Sequence, residues 1–137
     1  MLIETPRINV NLNKKIKDLG GSWNGTAWVI DDAFTNVVQP FLDKYFPKNG
    51  LITLKIRAKE HISVSRGPVT VAGFVVARAF ERDSGAKLGT GVALVEGRVG
   101  SGGSRVNWTT WIEEGSEIWI KDFPESLAVS EKWEVIK

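Results

Sequence analysis

The sequence contains no cysteine, which excludes disulfide bonds and thiolate metal sites. Its only histidine is His61, so a metal site with two histidine ligands is excluded and a catalytic triad has a single candidate base. The Gly-x-Ser-x-Gly motif of a hydrolase nucleophile does not occur. We therefore expect a protein that is not an enzyme and that uses neither a metal nor a cofactor.

Long apolar runs are also missing. The longest candidate, residues 69–80, is interrupted by Arg78 and falls short of the roughly 18 residues that a membrane span needs. The first six residues lack both the basic start and the apolar segment of a signal peptide. The sequence therefore predicts a cytoplasmic protein that makes no contact with a membrane.

Apart from these absences, the composition is that of a globular protein. Apolar residues make up 42% and charged residues 25% of the 137 positions. The net charge of +2 is unevenly divided: residues 1–67 hold ten Lys and Arg against six Asp and Glu, a net +4, whereas residues 68–137 hold eight against ten, a net −2. The first half can present a positive face to an anion, although an excess of this size is also common on solvated surfaces.

An amphipathic helix is predicted near the start of the chain, after a short strand at residues 1–5. Leu12, Ile16 and Leu19 stand at helical spacing and form one apolar stripe. Asn9 or Asn11 would cap the helix, because an Asn side chain accepts hydrogen bonds from the free N–H groups of the first turn. The glycine that follows Leu19 would end it in the left-handed conformation.

A tryptophan-bearing hairpin follows this helix. Asn24-Gly25 predicts a two-residue turn, because both residue types tolerate positive φ. Trp23 and Trp28 flank the turn, and either they stack on one another or one faces the core and the other faces solvent.

A second helix is predicted after Asp31 or Asp32, either of which can cap it. Pro40 conflicts with a continuous helix, so the helix is either kinked there or begins near Gln39. The Pro- and Gly-containing segment that follows closes a small α/β module of residues 1–49.

Residues 50–137 predict an antiparallel β module. The segments with strand-like patterns are residues 51–58, 62–64, 69–82, 87–96, 106–112, 117–121 and 133–136. Residues 97–104 read as a Gly/Ser loop and residues 124–129 as a short helical piece.

The predicted fold class is α+β. An N-terminal βαβ(β)α piece would pack on a C-terminal antiparallel sheet or partly closed barrel of five or six strands. The two halves would form one packed unit, since neither is large enough for a generous core. Exposed strand edges would allow a homodimer.

Tryptophan is the strongest functional signal, with six in 137 residues. An exposed indole beside a cation can stack a nucleic-acid base, which is worth about 1–3 kcal/mol, whereas a buried indole simply fills the core. The candidate nucleic-acid-binding residues are Lys14, Lys17, Trp23, Trp28, Lys55, Arg57 and Lys59. The last three alternate on one strand as a basic row about 13 Å long. Such a row suits a phosphate backbone, or alternatively protects an edge strand from pairing.

A glycine-rich segment is the second candidate site, and it would bind an anion or a nucleotide. Its residues are Arg98, Gly100, Ser101, Gly102, Gly103, Ser104 and Arg105, with Trp108 and Trp111 on the strand that follows. Consecutive N–H groups in a glycine-rich turn can surround an anion. The Gly-Lys-Ser/Thr of a P-loop is absent. The alternative is a mobile hairpin loop.

The helix and hairpin also resemble a known module. The matching residues are Lys17, Leu19, Gly20, Gly21, Trp23, Ala27, Trp28 and Val29. They form Lys-x-Leu-Gly-Gly-x-Trp, a short turn and Ala-Trp-Val, which is similar to small modules of phage and mobile-element proteins and of domains beside some DNA-annealing helicases. The resemblance covers residues 8–46, with a shorter turn and Asn24 in place of the usual Asp. It implies a nucleic-acid-handling context and no catalytic residues.

These observations predict a non-catalytic accessory protein that binds single-stranded or duplex nucleic acid, in a phage or mobile element. Two alternatives stay open. The first is an inhibitor of the anti-defence type, which binds a nucleotide or a host protein through the glycine-rich segment. The second is a structural or assembly subunit whose exposed aromatic side chains are buried at a protein interface.

Overall fold

The computed structural model describes residues 1–136 and shows an α+β fold. Helix α1 spans Val10–Asp18, a 3-10 turn spans Asp32–Phe34, and helix α2 spans Thr35–Tyr45. The thirteen strands of this part of the chain are β1 (Leu2–Ile3), β2 (Ser22–Trp23), β3 (Trp28–Val29), β4 (Leu51–Ala58), β5 (Ile62–Ser65), β6 (Val69–Val71), β7 (Phe74–Ala79), β8 (Ala86–Leu88), β9 (Val92–Glu96), β10 (Val99–Gly103), β11 (Trp108–Ile112), β12 (Glu117–Pro124) and β13 (Trp133–Val135).

The strands of residues 1–136 form four antiparallel sheets, in the orders β1-β3-β2, β10-β11-β5, β13-β4-β12-β9 and β6-β7-β8, and none of them closes. The prediction of one sheet or partly closed barrel of five or six strands is therefore wrong in its arrangement. Buried apolar side chains from both helices and from several sheets, among them Ile16, Val38, Ile56 and Val76, form one core cluster.

Helix α1 begins and ends as its sequence predicts. The Asn9 side chain accepts hydrogen bonds from the backbone N–H groups of Asn11 and Leu12, at 3.0 and 3.1 Å. Gly20 has φ of +83°, the left-handed conformation that ends many helices. Leu12 and Ile16 are buried, so the apolar stripe faces the core.

Asn9 also fixes the chain that precedes the helix. Its side-chain nitrogen donates to the Ala72 carbonyl at 3.1 Å, and the Val10 N–H donates to the Gly73 carbonyl at 2.8 Å. Ala72 and Gly73 both have positive φ, at +51° and +88°, the combination found in a two-residue hairpin turn. This turn separates β6 from β7, so the segment of residues 69–82, predicted as one long strand or one bent at Gly73, is divided at that position into two strands.

Two further local predictions differ from the structure, and for helix α2 one of the two predicted alternatives is excluded. The return strand predicted for residues 87–96 is two strands, because β8 pairs with β7 while β9 pairs with β12 in another sheet. Residues 124–129 form no helix; Pro124 ends β12 instead. Helix α2 runs from Thr35 through Pro40, so it does not begin near Gln39.

The Trp hairpin turns one residue later than predicted. The Asn24 carboxamide oxygen accepts from the N–H groups of Thr26 and Ala27, at 3.0 and 2.8 Å, and the Asn24 N–H donates to the Ala27 carbonyl at 3.0 Å. The turn is therefore centred on Gly25-Thr26, with Gly25 at φ +105°.

Candidate functional site

The tryptophans differ widely in exposure. Trp28 and Trp133 are buried, Trp23 is 55% exposed, and the other three are partly buried. Trp28 lies on the core side of the hairpin, and its Nε1–H donates to the Asn13 side chain at 3.1 Å. Trp28 therefore cannot present a ring face to a base, which corrects its place among the candidate stacking residues.

Trp23 meets Trp28 edge to face, with ring centroids 5.5 Å apart and planes at 62°. The buried ring thus supports the exposed one from beneath. On the neighbouring helix α1, the Lys17 ammonium lies 5.7 Å from the Trp28 ring centroid, and Lys14 forms a 3.2 Å ion pair with Asp18. We call Lys14, Lys17 and Trp23 the Trp23 face.

The predicted basic row does not lie on an edge strand. β4 runs between β12 and β13 in the four-stranded sheet, so protection of an edge is not the reason for its cations. Arg57 is opposite Glu117 on β12 and opposite Glu134 on β13. Its guanidinium forms a 2.9 Å ion pair with Glu117, and Lys59 follows the end of the strand.

Lys55 is also engaged on this face. Its ammonium lies 4.3 Å from the Trp119 ring centroid, a cation–π contact. The Trp119 Nε1–H donates to the second carboxylate oxygen of Glu117 at 2.8 Å. One carboxylate thus links Arg57 and Trp119, and the row offers a phosphate backbone less free charge than its sequence predicts.

The glycine-rich segment is a strand and not a loop. Residues 99–103 form β10, which pairs with β11 along its whole length. A Cβ atom at Gly100 would overlap the Trp111 ring, and the Trp111 Nε1–H donates to the Ser101 carbonyl at 2.9 Å. The glycines therefore make room for an indole that crosses the strand, and the predicted anion-binding turn is not formed.

The side chains around this strand have partners within the fold. Arg98 forms a 2.7 Å ion pair with Glu113, and the Ser101 hydroxyl donates to the Arg82 carbonyl at 2.8 Å. Gly102 lies in β10 beside Thr109, Gly103 ends the strand with φ +80°, and Ser104 and Arg105 are exposed in the connection to β11. Trp108 and Trp111 lie on opposite faces of β11, as predicted from their spacing, and His61 stacks on Trp111 with centroids 5.9 Å apart.

A cluster of cations that the sequence did not indicate lies on the β7–β8 hairpin. Arg78 and Lys87 are directly opposite one another in the register of these two strands. Arg7 joins them at a groove that opens beside the hairpin, next to the exposed side chains of Ile8 and Phe80. We call this the cationic chamber; its volume is about 250 Å³.

Arg7 is held in place by two contacts. Its guanidinium lies 4.3 Å from the Phe74 ring centroid, and one Nη donates to the Asp122 carbonyl at 2.7 Å. Burial lowers the pKa of Arg7 and the Asp122 charge raises it, but an arginine remains charged at any physiological pH. Positive φ at Asp122 accompanies an irregularity in β12 that carries this carbonyl to Arg7.

Next to this chamber lies a second, larger space of about 390 Å³, and Arg7 and Thr90 line both. Its walls are mainly apolar and include Pro6, Phe46 and Leu51. We call this the apolar chamber. The only local sequence signal for the groove is Arg78 two residues before Phe80, since its other walls come from distant parts of the chain.

In residues 1–136 no group of three or more His, Asp or Glu is placed to hold a metal ion. Neither helix of that range reaches the length that a membrane-spanning segment needs. No protein-family model, curated protein or solved structure matches the chain.

Proposed function

We propose that the protein is a non-catalytic accessory protein that binds single-stranded nucleic acid through the Trp23 face. The observation that carries the proposal is the Trp23 ring, 55% exposed and supported from below by Trp28. An aromatic ring fixed in this way loses little conformational freedom when a base stacks on it. The resemblance of residues 8–46 to modules of phage, mobile-element and annealing-helicase proteins supports the same context.

Charge beside the ring supports the same function. Lys17 is exposed on α1 next to the two indoles, where it can meet a phosphate while Trp23 stacks the adjoining base. Lys14 contributes less, because Asp18 offsets its charge. Lys55, Arg57 and Lys59 lie outside this face, and we assign them no primary role.

The test is the affinity of a short fluorescent single strand, measured by anisotropy for Trp23→Ala. Loss of one base stack, worth about 1–3 kcal/mol, should weaken binding roughly fivefold or more. Folding should change little, since the side chain is mostly exposed. Lys17→Ala should reduce the slope of log K against log salt by roughly 0.7, the value expected for one phosphate contact on a single strand.

Phe80→Ala is the matched control, because Phe80 is an aromatic side chain of similar exposure, at 60%, outside the Trp23 face. It should leave the binding of a strand without a 5′-phosphate unchanged. Equal losses in Trp23→Ala and Phe80→Ala, or wild-type binding that ignores salt, would remove the Trp23 face as the interface.

A further inference from the structure

The cationic chamber brings three positive side chains together, and none of them forms an ion pair in the described part of the chain, although the nearby Asp122 charge raises the pKa of Arg7. Within residues 1–136, no Asp or Glu lies within the 4.0 Å ion-pair distance of Arg7, Arg78 or Lys87. Opposed like charges on neighbouring strands destabilise a sheet, here between Arg78 and Lys87. The fold therefore keeps an unfavourable pair at the mouth of a groove, and an anion bound there would relieve it.

The geometry of β7 aligns these groups along one face. Phe74, Val76, Arg78 and Phe80 alternate on that face, the first two buried and the last two exposed. Arg7 stacks over Phe74, about 13 Å along the strand from Arg78. The Arg78 guanidinium lies 5.4 Å from the Phe80 ring centroid, a cation–π contact beside the chamber. The Arg78 guanidinium and the Lys87 ammonium suit the oxygens of a phosphate, and Arg7 lies where the two chambers meet.

We propose that the groove binds a phosphorylated nucleoside, with its phosphate in the cationic chamber and its nucleoside part in the apolar chamber. The size supports this division: each chamber is of the order of a small-molecule pocket, and the two are adjacent, with Arg7 and Thr90 in the walls of both. In the apolar chamber Lys121 and Asp122 lie side by side with opposite charges. The phosphate is therefore drawn to the other end, where Arg78 and Lys87 have no carboxylate partner among residues 1–136.

The site is separate from the Trp23 face and does not depend on the proposed strand binding. It also differs from the glycine-rich segment, whose residues are occupied by β10 pairing and by Trp111. The ligand chemistry is a phosphate monoester joined to a planar base. A free mononucleotide and the 5′-phosphorylated end of a strand both supply it.

Titration calorimetry of the full chain with adenosine monophosphate, adenosine and inorganic phosphate tests the proposal. The nucleotide should bind, and Arg78→Thr should weaken it about tenfold or more, the loss expected for a charge-assisted hydrogen bond. Leu51→Glu should weaken nucleotide binding by a similar factor, because it places a negative charge in the apolar chamber. Leu51 is already 41% exposed, so the new carboxylate stays in contact with water. Adenosine binding as tightly as its monophosphate, or no binding by either, would overturn the proposal.

The melting temperature of Lys87→Thr distinguishes a lysine that repels Arg78 from one that only stabilises the strand. Without ligand this variant should melt about 1–4 °C higher than the wild type, because the opposed charge on Arg78 loses its repulsion. Its nucleotide affinity should fall. Lys87→Thr melting lower than the wild type would contradict the stored repulsion and the anion site with it.

Arg57→Thr is the control of identical chemistry, since Arg57 is an exposed strand arginine that already has Glu117 as a partner. It should leave nucleotide affinity unchanged; a loss equal to that of Arg78→Thr would show a general charge effect and overturn the site. Oligonucleotides with and without a 5′-phosphate identify the source. Preference for the phosphorylated end supports the site with a strand as ligand, and equal binding of both strands assigns the site to a free mononucleotide.

Discussion

Arg57 and Arg78 are exposed arginines on strands, and they differ in what stands opposite them. Arg57 has a glutamate on each neighbouring strand and makes an ion pair with one of them. Arg78 faces Lys87 and pairs with no carboxylate of residues 1–136. A count of Lys and Arg predicts more free positive charge on the outer face of β4 than on the β7–β8 hairpin. The strand register predicts the opposite, because it places carboxylates only beside the β4 cations. The free positive charge of a surface is therefore a property of strand pairing and not of composition.

The largest effect on stability is expected for Phe74, which lies beneath the groove. Phe74 packs against Tyr45, Phe46 and Phe123 and carries Arg7 on its ring. Phe74→Ala should lower the free energy of unfolding by about 3–5 kcal/mol, because it leaves a cavity at the centre of an aromatic cluster. Chemical denaturation measures this.

Phe80, an exposed phenylalanine that follows the same strand, is the control for the loss of stability at Phe74. Phe80→Ala should stay within about 0.5 kcal/mol of the wild type. A Phe74→Ala variant with near-native stability would mean that the groove does not depend on this cluster.

An intermediate effect on stability is expected for Gly89, which directly follows β8. A Cβ atom at Gly89 would overlap the Val75 carbonyl oxygen, whereas one at Gly102 would meet its neighbours at 3.6 Å or more. Gly89→Ala should therefore destabilise the protein by about 1–3 kcal/mol through overpacking. Gly102→Ala should have a smaller effect in the same thermal scans. Equal melting temperatures would show that β8 can shift away from β7 at little cost.

The smallest effect on stability, and the most direct test of the comparison, is expected for Glu117→Gln. Removing this charge leaves Arg57 without its ion-pair partner and should cost at most about 1 kcal/mol. The face should at the same time gain salt-dependent affinity for single strands, since the Arg57 guanidinium becomes free. Anisotropy at low salt measures the gain; an unchanged affinity would mean that Glu134 alone neutralises the row.

Local signals predicted the local parts of the fold. The cap at Asn9, the stripe of Leu12 and Ile16, and the stop at Gly20 were all indicated by residues within one or two turns of each other, and the structure confirms them. The exposure of Trp23 and the burial of Trp28 match one of the two arrangements that the hairpin pattern left open.

The candidate sites could not be predicted in the same way, because their surroundings come from distant segments. Glu117 is 60 residues from Arg57, so the alternation of β4 does not reveal that its charge is paired. The glycine-rich composition is typical of a loop, but Trp111 on the next strand requires those glycines in a sheet. The groove needs Arg7 beside a hairpin that begins more than sixty positions later.

Asn9 has a consequence for how the chain unfolds. The Asn9 carboxamide caps helix α1 and also donates a hydrogen bond to the β6–β7 turn. A Cβ atom at Gly73 would collide with this carboxamide. Amide protons of the first helical turn and of that hairpin should therefore exchange with solvent in a common opening event. Fraying of the amino-terminal helix and loosening of the cation-bearing strands would then be a single molecular motion.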